Sequence, residues 1–526
     1  MVKRLAVVCF IVGLLLLGLS YHRDNVSPNT AFGQNSQKIP ISNMKNSENR
    51  EAITFKEIER TAKKANLKGV TVTRWKDSQD RRPISYLEWK EKVGERGLFE
   101  IELARRSSNL EKTGIETRFC VIVNSTLYNS IQSSIDQYVM DLTAEGYNVE
   151  VYTSSGGTPQ DLRSFLQGRY FLGLKGCILI GNLPVPWYET ECWGPPLEHE
   201  QFPIDLYYMD LDGAFGDSDL DGIYDSHTGD VSPEIWVGRL TASPLTLGGA
   251  DEVSLVQNYF HKNHLYRSGL LSLNSRALVY IDDDWVDWAD EWNNDVGEAY
   301  IDRTLIKDEW TTKDIDYESR LPDNYEFIQI CSHSSAFMHY FKIPPDQWDG
   351  TTTNSEVKAI DPLAFFYNLF ACSNARYVES NYMGGWYIFC QTYGLAAVGS
   401  TKTGSMLNFW YFYEPFGRGK TIGQAFFDWF AAMAAYGFNS DDVCWFYGMT
   451  LLGDPTLTGQ TVLRGDCNKD GSINLSDVIF LANYVLKGGS PPDPLQSGDV
   501  NCDGKYNLAD VILLARYVLF SEPFPC

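Results

Sequence analysis

The spacing of apolar and polar positions alternates between two kinds of segment from about residue 116 onward. Short apolar runs such as GCILIGNL predict buried strands, whereas NSIQSSIDQYVMDLTAEG carries the apolar spacing of an amphipathic helix. Strands that alternate with helices are typical of a parallel sheet that is covered on both faces. The sequence therefore predicts an α/β fold with a parallel sheet.

The alternation restarts at RALVYIDDD, so the pattern divides into two α/β units, at residues 116–270 and 271–460. The second unit contains the apolar runs YEFIQIC and LAFFYNLFAC. A chain of 526 residues exceeds what one hydrophobic core usually organises, so more than one domain is expected. The two units are compatible with two halves of one catalytic region.

The N-terminal part divides into three segments. Residues 1–20 have a basic start, an uncharged apolar stretch and a small-x-small site, as in a secretory signal peptide; an uncleaved anchor is the alternative. Residues 21–50 are polar and weakly patterned, which indicates a linker. Residues 51–115 are expected to be mostly helical, as a prosegment or as a packing layer. The mature protein is expected to be secreted, extracellular or associated with a cell surface, without a membrane span.

Charge and cysteine content narrow the function classes. A net charge of −24 argues against nucleic acid as a partner, because phosphate backbones attract Lys and Arg. The 11 cysteines are too sparse for a scaffold built from disulfides. Four of them lie in apolar runs and are expected to be buried thiols, namely Cys120, Cys177, Cys331 and Cys390.

Two predicted strands end in residues that suit nucleophilic catalysis. His333 lies in FIQICSHSS and Cys372 lies in LFACSN, each just after an apolar run ends. Function collects at the carboxyl ends of the strands in open α/β sheets, and an imidazole there would accept the proton of a thiol. A core cysteine and a polar cap are the alternative interpretations. His339 is the main rival as the base.

An acidic loop between the units has the spacing of a calcium site. Asp217, Asp219 and Asp221 alternate before a glycine, and Asp225 follows four residues after the last of them. No carboxylate stands at the twelfth position, so the loop is not an EF-hand. We interpret it as a calcium clip, with a solvated acidic loop as the alternative.

The C-terminal region contains a repeat in which residues 465–486 return as 498–519, identical at fifteen of twenty-two positions. Each copy has oxygen ligands at loop positions 1, 3, 5 and 12, a glycine at position 6 and an apolar helix that follows. The predicted ligands are Asp466, Asn468, Asp470 and Asp477 in the first copy and Asp499, Asn501, Asp503 and Asp510 in the second. Two such units packed together predict a small calcium-dependent helical domain.

An ordered series of motifs between about residues 118 and 458 resembles the gingipain-type cysteine peptidases, which belong with caspases and legumains. The series includes ILIGNLPVP, PEIWVGRL, QICSHSS, LFACSNARYVESNYMGGWYI and YGMTLLGDPTL. The resemblance implies a caspase-like fold and a protein or peptide substrate, with Cys372 as the nucleophile and His333 as the general base and acid. It also implies an acidic residue that orients the histidine, for which Glu234 is the candidate.

Residues 464–526 closely resemble a dockerin, which implies a cohesin domain as partner and Ca²⁺ as cofactor. Dockerin specificity usually lies at loop positions 10 and 11, here Leu475 with Ser476 and Leu508 with Ala509. Cys467, Cys502 and Cys526 also fall in this region, and their pairing stays open.

Two other functions stay open at this point. The family usually has His-Gly where this chain has Ser334 after the histidine, so a catalytically impaired peptidase homologue is one alternative. A carbohydrate-active protein borne by the dockerin is the other, because IDDDWVDWADEW places carboxylates beside tryptophans.

Overall fold

A computed structural model describes the chain in segments, namely residue 79 and residues 81–107, 117–193, 196–459, 464–468, 472–492, 495–501, 505–522 and 524. The predicted signal peptide (1–20), the linker (21–50), Asp470, Asp503, Cys502 and Cys526 lie outside the described residues. In the described part of the chain, no helix combines the length and apolar character needed to cross a membrane.

The strands of the described residues are numbered in chain order. They are β1 (Glu100–Arg106), β2 (Thr117–Asn124), β3 (Tyr147–Ser155), β4 (Leu174–Ile180), β5 (Trp187–Cys192), β6 (Glu198–Pro203), β7 (Ala214–Gly216), β8 (Ser226–Thr228), β9 (Trp236–Leu240), β10 (Arg276–Ile281), β11 (Asp302–Ile306), β12 (Phe327–Cys331), β13 (His333–Ser334), β14 (Met338–Ile343), β15 (Gln347–Thr353), β16 (Phe366–Phe370), β17 (Ala396–Ser400) and β18 (Met449–Gly453).

The α-helices of the same residues are numbered in the same way. They are α1 (Tyr86–Val93), α2 (Ser125–Ala144), α3 (Pro159–Tyr170), α4 (Leu206–Met209), α5 (Glu252–Arg267), α6 (Ala289–Val296), α7 (Asp314–Arg320), α8 (Asn354–Ile360), α9 (Met383–Ile388), α10 (Trp410–Gly417), α11 (Ile422–Ala434), α12 (Ser440–Phe446), α13 (Leu475–Lys487) and α14 (Leu508–Phe520).

One 11-stranded sheet runs through both predicted α/β units, in the order β1-β3-β2-β4-β9-β18-β17-β16-β12-β10-β11. Neighbouring strands are parallel except at β1–β3 and β17–β18. The α/β class with a largely parallel sheet is therefore confirmed. Strand β18, the last along the chain, lies in the sheet between β9 of the first unit and β17 of the second. It is parallel to β9 and antiparallel to β17, so the other strands of the second unit run opposite to those of the first.

The central strands are buried on both faces, which explains their continuous apolar runs. Every residue of β9, β12, β16 and β17 is buried. Helices cover the two faces, and each face has its own hydrophobic core. Each fully buried Leu, Ile or Phe side chain stabilises such a core by about 1.5–3 kcal/mol.

The segment 51–115, expected to be mostly helical, is only partly so in its described portion. Helix α1 is followed by the edge strand β1, which pairs with β3 and so replaces the expected helix. Ahead of α1, the Ile84 N–H donates to Glu379 (2.7 Å) and the Ile84 carbonyl accepts from Arg376 (2.8 Å). The described portion therefore packs on the second α/β unit ahead of α1 and on the first through β1.

The described cysteines are either free thiols or joined in a disulfide. The four thiols expected in apolar runs, Cys120, Cys177, Cys331 and Cys390, are buried and free. Cys192 and Cys444 form a disulfide across a sequence separation of 252 residues, a pairing that the sequence did not indicate. It joins the end of β5 to α12, and so links the first unit to the second.

The C-terminal helices α13 and α14 bury a small core of their own, as predicted for the repeat. Val478, Leu481, Val511 and Leu514 lie in it. Asn474 and Asn507 cap the two helices with the same reciprocal hydrogen-bonding pattern, which reflects the internal repeat.

Candidate active site

Cys372 and His333 follow neighbouring strands of the sheet at the same edge. Strands β12 and β16 are parallel, with Cys331 opposite Phe370. The Ser332 N–H donates to the Phe370 carbonyl (3.1 Å), which continues the pairing beyond the strands. Because each candidate stands two residues past this pair, His333 and Cys372 are in register across the strand ends.

The surroundings of Cys372 hold its sulfur in a largely buried position. The residue is 9% exposed, and burial raises the pKa of the Cys372 thiol to about 11. A backbone N–H of Gly404 and the ammonium of Lys402 lower this pKa, while the carboxylate of Glu200 raises it. The next residue, Ser373, has a φ of +58°, a conformation that is strained for a serine and is frequent at functional sites.

His333 has a carboxylate partner. Its Nε2 lies 2.5 Å from Oδ2 of Asp284. Burial lowers the pKa of His333, and Asp284 opposes that change by raising it. With Nε2 engaged, Nδ1 is the nitrogen left for proton exchange with a thiol. The rings of Trp285 and Trp348 pack against the imidazole, with centroids at 4.6 and 5.3 Å, and fix its plane.

Asp284 reaches His333 because β10 is the next strand of the sheet beside β12. It lies in a short 3-10 helix, Asp283–Trp288, that starts just after β10. Although burial opposes it, hydrogen bonds from His333 and Lys342 keep the pKa of Asp284 below its ordinary value. The acidic triplet at the end of RALVYIDDD is the sequence signal for this residue.

Glu234, the candidate for the orienting acid, lies away from His333 in the sheet. Its carboxylate accepts the Leu211 N–H (2.6 Å) and stands with Asp210 and Asp212, and burial raises the pKa of Glu234 to about 8. It precedes β9, which is four strand positions from β12, or roughly 19 Å at the usual strand spacing. The acid that contacts His333 is therefore Asp284.

His339, the rival base, is fully buried on β14, and its Nε2 lies 3.0 Å from the Tyr387 hydroxyl. Burial lowers the pKa of His339 to about 3, so this imidazole is neutral at physiological pH. Ser334 pairs with His339 in the hairpin, and its hydroxyl donates to the Ser335 carbonyl (2.7 Å). Its backbone has ordinary strand geometry, so this position does not require glycine.

Hydrogen bonds to Asp217 organise the acidic loop of the first unit. The two carboxylate oxygens of Asp217 accept the N–H groups of Leu220 (2.7 Å) and Gly222 (2.9 Å). Asp225, also predicted as a ligand, accepts the Ser218 N–H (3.0 Å) instead.

The remaining two predicted ligands of that loop meet a third carboxylate. Oxygens of Asp219, Asp221 and Glu189 lie within 4.8 Å of one another. Glu189 comes from β5, about thirty residues earlier, so only the fold brings it to the loop. Three carboxylates are a donor set that suits a hard cation such as Ca²⁺.

The predicted ligands of the C-terminal repeat that the structure describes are Asp466, Asn468, Asp477, Asp499, Asn501 and Asp510. Asp477 is fully buried at the start of α13, where its carboxylate accepts the N–H groups of Asn474 (2.8 Å) and Asn468 (3.1 Å). Asp510 is buried in the same position of α14 and accepts the Asn507 N–H (2.9 Å). These carboxylate and amide oxygens fit a calcium ligand set.

Comparisons with known proteins identify two families along the chain. Residues 113–459 match the sequence model of peptidase family C25, and residues 464–519 match that of the dockerin type I domain. No curated protein sequence matches the chain.

Solved structures of gingipain R are among those similar to this chain. The crystal structure of this Arg-specific cysteine proteinase has 13% identity and a TM-score of 0.46, and the match covers 67% of this chain and 80% of that one. A complex of the pro- and mature domains of RgpB from Porphyromonas gingivalis has the same identity and TM-score, with 66% and 81% covered. Since the family match spans well over half of the 526 residues, this chain belongs to peptidase family C25 and is a cysteine-type peptidase with a C-terminal dockerin type I domain.

Proposed function

We propose that the chain is a secreted endopeptidase that hydrolyses peptide bonds of proteins or peptides through Cys372 and His333. The observation that carries this proposal is the register of the two residues across the ends of β12 and β16. Asp284, at 2.5 Å from the imidazole, orients the base. The strand geometry at Ser334 supports an active enzyme over an impaired homologue. The packing of Trp285 on His333 supports a role for that acidic and aromatic stretch in peptide hydrolysis over a carbohydrate site.

The proposed reaction proceeds through an acyl-enzyme. Nδ1 of His333 takes the proton of the Cys372 thiol, and the thiolate attacks the carbonyl carbon of the scissile bond. Backbone N–H groups stabilise the oxyanion, and the imidazolium gives its proton to the departing amine. Water, deprotonated by His333, then cleaves the thioester and releases the acid product. The thiol and the neutral imidazole are regenerated.

Replacement of the nucleophile tests this function directly. Cys372→Ala is expected to abolish hydrolysis of a protein substrate such as casein, and retained cleavage by the folded variant would remove Cys372 from the mechanism. A peptidyl thiol-reactive probe is expected to label Cys372, and His333→Ala to suppress that labelling. Cys390→Ala is the matched control, since it removes another buried thiol of the same unit and is expected to leave the labelling unchanged.

We also propose that Ca²⁺ binds the acidic loop of the first unit and the two loops of the dockerin. Buried Asp477 and Asp510 support the dockerin sites, and the convergence of Glu189 with Asp219 and Asp221 supports the first. Calcium would neutralise these carboxylates and thereby stabilise the loops that carry them.

The dockerin is proposed to attach the enzyme to a cohesin domain on a scaffold or cell surface. Each of its two helices exposes three apolar side chains at equivalent positions of the repeat, Leu475, Ile479 and Leu486 on α13 and Leu508, Ile512 and Leu519 on α14. Exposed apolar side chains in such an array favour a protein partner. Aspartate at Leu475, Ile479, Leu508 and Ile512 together is expected to abolish retention on immobilised cohesin modules; unchanged retention would exclude this surface.

A further inference from the structure

Lys402 is a buried lysine in the loop of residues 401–405, directly after β17. Its side chain is 1% exposed. The ammonium donates to the carbonyl oxygens of Thr403 and Cys444 and pairs with a carboxylate oxygen of Glu200 at 3.4 Å. A buried ammonium is tolerated only when it is paired and hydrogen-bonded, and Lys402 meets that condition with one carboxylate and two carbonyl groups.

The same loop runs beside the segment that follows Cys372. The Ser373 N–H donates to the Lys402 carbonyl (2.9 Å), and the Arg376 guanidinium donates to the Thr401 carbonyl (3.0 Å). The Ala375 N–H donates to Ser400, the last residue of β17 (2.9 Å). Main-chain and side-chain bonds thus hold the loop of residues 401–405 against the candidate nucleophile.

Two groups from outside the loop bind the Lys402 ammonium, the Glu200 carboxylate and the Cys444 carbonyl oxygen. One disulfide links the elements that carry them. Glu200 lies on β6, which forms a hairpin with β5, and β5 ends at Cys192. Cys192 is bonded to Cys444, whose carbonyl accepts from Lys402. The disulfide therefore joins the hairpin that brings the carboxylate to the helix that brings the carbonyl.

The two charges act on Cys372 in opposite directions. Burial raises the pKa of the thiol, Glu200 raises it further, and Lys402 lowers it. His333 follows the neighbouring strand β12 at the same edge of the sheet.

We propose that Lys402 and Glu200 are positioning residues for the nucleophile, an ion pair between a buried ammonium and a partly buried carboxylate that holds the loop of residues 401–405 beside Cys372 and balances the charge around its sulfur. The inference rests on the proposed function, because it assumes that Cys372 is the reacting thiol.

Alkylation of Cys372 in the folded, full-length protein tests the pair. Iodoacetamide reacts with the thiolate, so below the thiol pKa its rate at a fixed pH follows the thiolate fraction. Lys402→Met is expected to slow alkylation of the Cys372 peptide about tenfold, and Glu200→Gln to accelerate it about tenfold, the change that corresponds to roughly 1.4 kcal/mol. Mass spectrometry of the digested protein separates this peptide from those of the other cysteines.

Lys262→Met is the matched control. Lys262 is also buried and bound by main-chain carbonyls, those of Ile388, Cys390 and Tyr393, but it does not act on Cys372. It is expected to leave Cys372 alkylation unchanged. Since His333 is present in all variants, its own contribution is common to them.

Opposite shifts in the two variants would support the pair, because a purely structural role would change both rates in the same direction. Equal or absent shifts in folded variants, judged by near-UV circular dichroism, would overturn it. If Lys402→Met does not fold, Glu200→Gln decides alone, and an unchanged rate there refutes the proposal. Alkylation needs no peptide cleavage, so this outcome is separate from the loss of hydrolysis in Cys372→Ala that tests the proposed function.

Discussion

Asp284→Asn is the variant that most directly tests the geometry of the site. The substitution keeps the size of the side chain but removes the charge that faces His333 at 2.5 Å. It also removes one partner of Lys342, whose ammonium lies 2.9 Å from Asp284 and is paired with Asp346 as well. The imidazole would keep its packing against Trp285 but lose the charge-assisted hydrogen bond at Nε2.

The size of the effect follows from the kind of bond that is lost. A hydrogen bond to a charged group contributes about 1.5–3 kcal/mol, and each 1.4 kcal/mol or so is tenfold in rate, so kcat/KM is expected to fall roughly 10- to 150-fold. Asp284 raises the pKa of His333, so its removal lowers that pKa. The ionisation of the histidine in the pH profile of kcat/KM is therefore expected to move to lower pH.

Hydrolysis of a quenched fluorescent peptide between pH 5 and 9 measures both effects. Asp346→Asn is the control, because it removes the other carboxylate from Lys342 without contact to the imidazole. Its kcat/KM is expected to change less than that of Asp284→Asn. If Asp284→Asn keeps the rate and pH profile of the unmodified enzyme, Asp284 does not orient His333, and its proposed role beside Cys372 and His333 is refuted.

Three further predictions concern stability. Replacing Cys192 and Cys444 by serine is expected to lower the free energy of unfolding by about 2–5 kcal/mol, and an unchanged midpoint in guanidinium would contradict the structural role of this disulfide. Chelation of Ca²⁺ is expected to expose residues 464–526 to limited proteolysis, and equal protection in excess EDTA would argue against calcium-dependent folding. Asp454 is fully buried at 2.6 Å from Arg267, so Asp454→Asn is expected to cost about 3–5 kcal/mol. Although burial opposes it, Arg267 holds the pKa of Asp454 below its ordinary value, so this stabilisation is present above about pH 4 and is lost as the pH falls through the folded-state pKa. Thermal unfolding between pH 7 and pH 3 would show it, as a smaller loss of stability in Asp454→Asn than in the unmodified chain.

The candidate dyad was predictable because strand ends are marked locally. FIQIC and FYNLF are continuous apolar runs, and each is followed within two residues by a residue with suitable chemistry. Parallel strands expose their carboxyl ends at one edge, so His333 and Cys372 needed only neighbouring strands to come into register. The sequence does not single out the orienting acid, because Glu234 and Asp284 both stand beside apolar strands and the sequence does not say which of those strands lies next to β12.

By itself, the sequence determined the α/β class, the positions of the strands and helices that carry the site, the buried thiols and the helical repeat with its own core. These follow from apolar periodicity and loop spacing, which act over a few residues. Only the tertiary structure decided the strand order, and with it the contact of Asp284 with His333, the disulfide between Cys192 and Cys444 and the approach of Glu200 to Lys402. Such contacts join residues up to about 250 positions apart in sequence. They depend on which strands lie side by side in the sheet, which local sequence patterns do not specify.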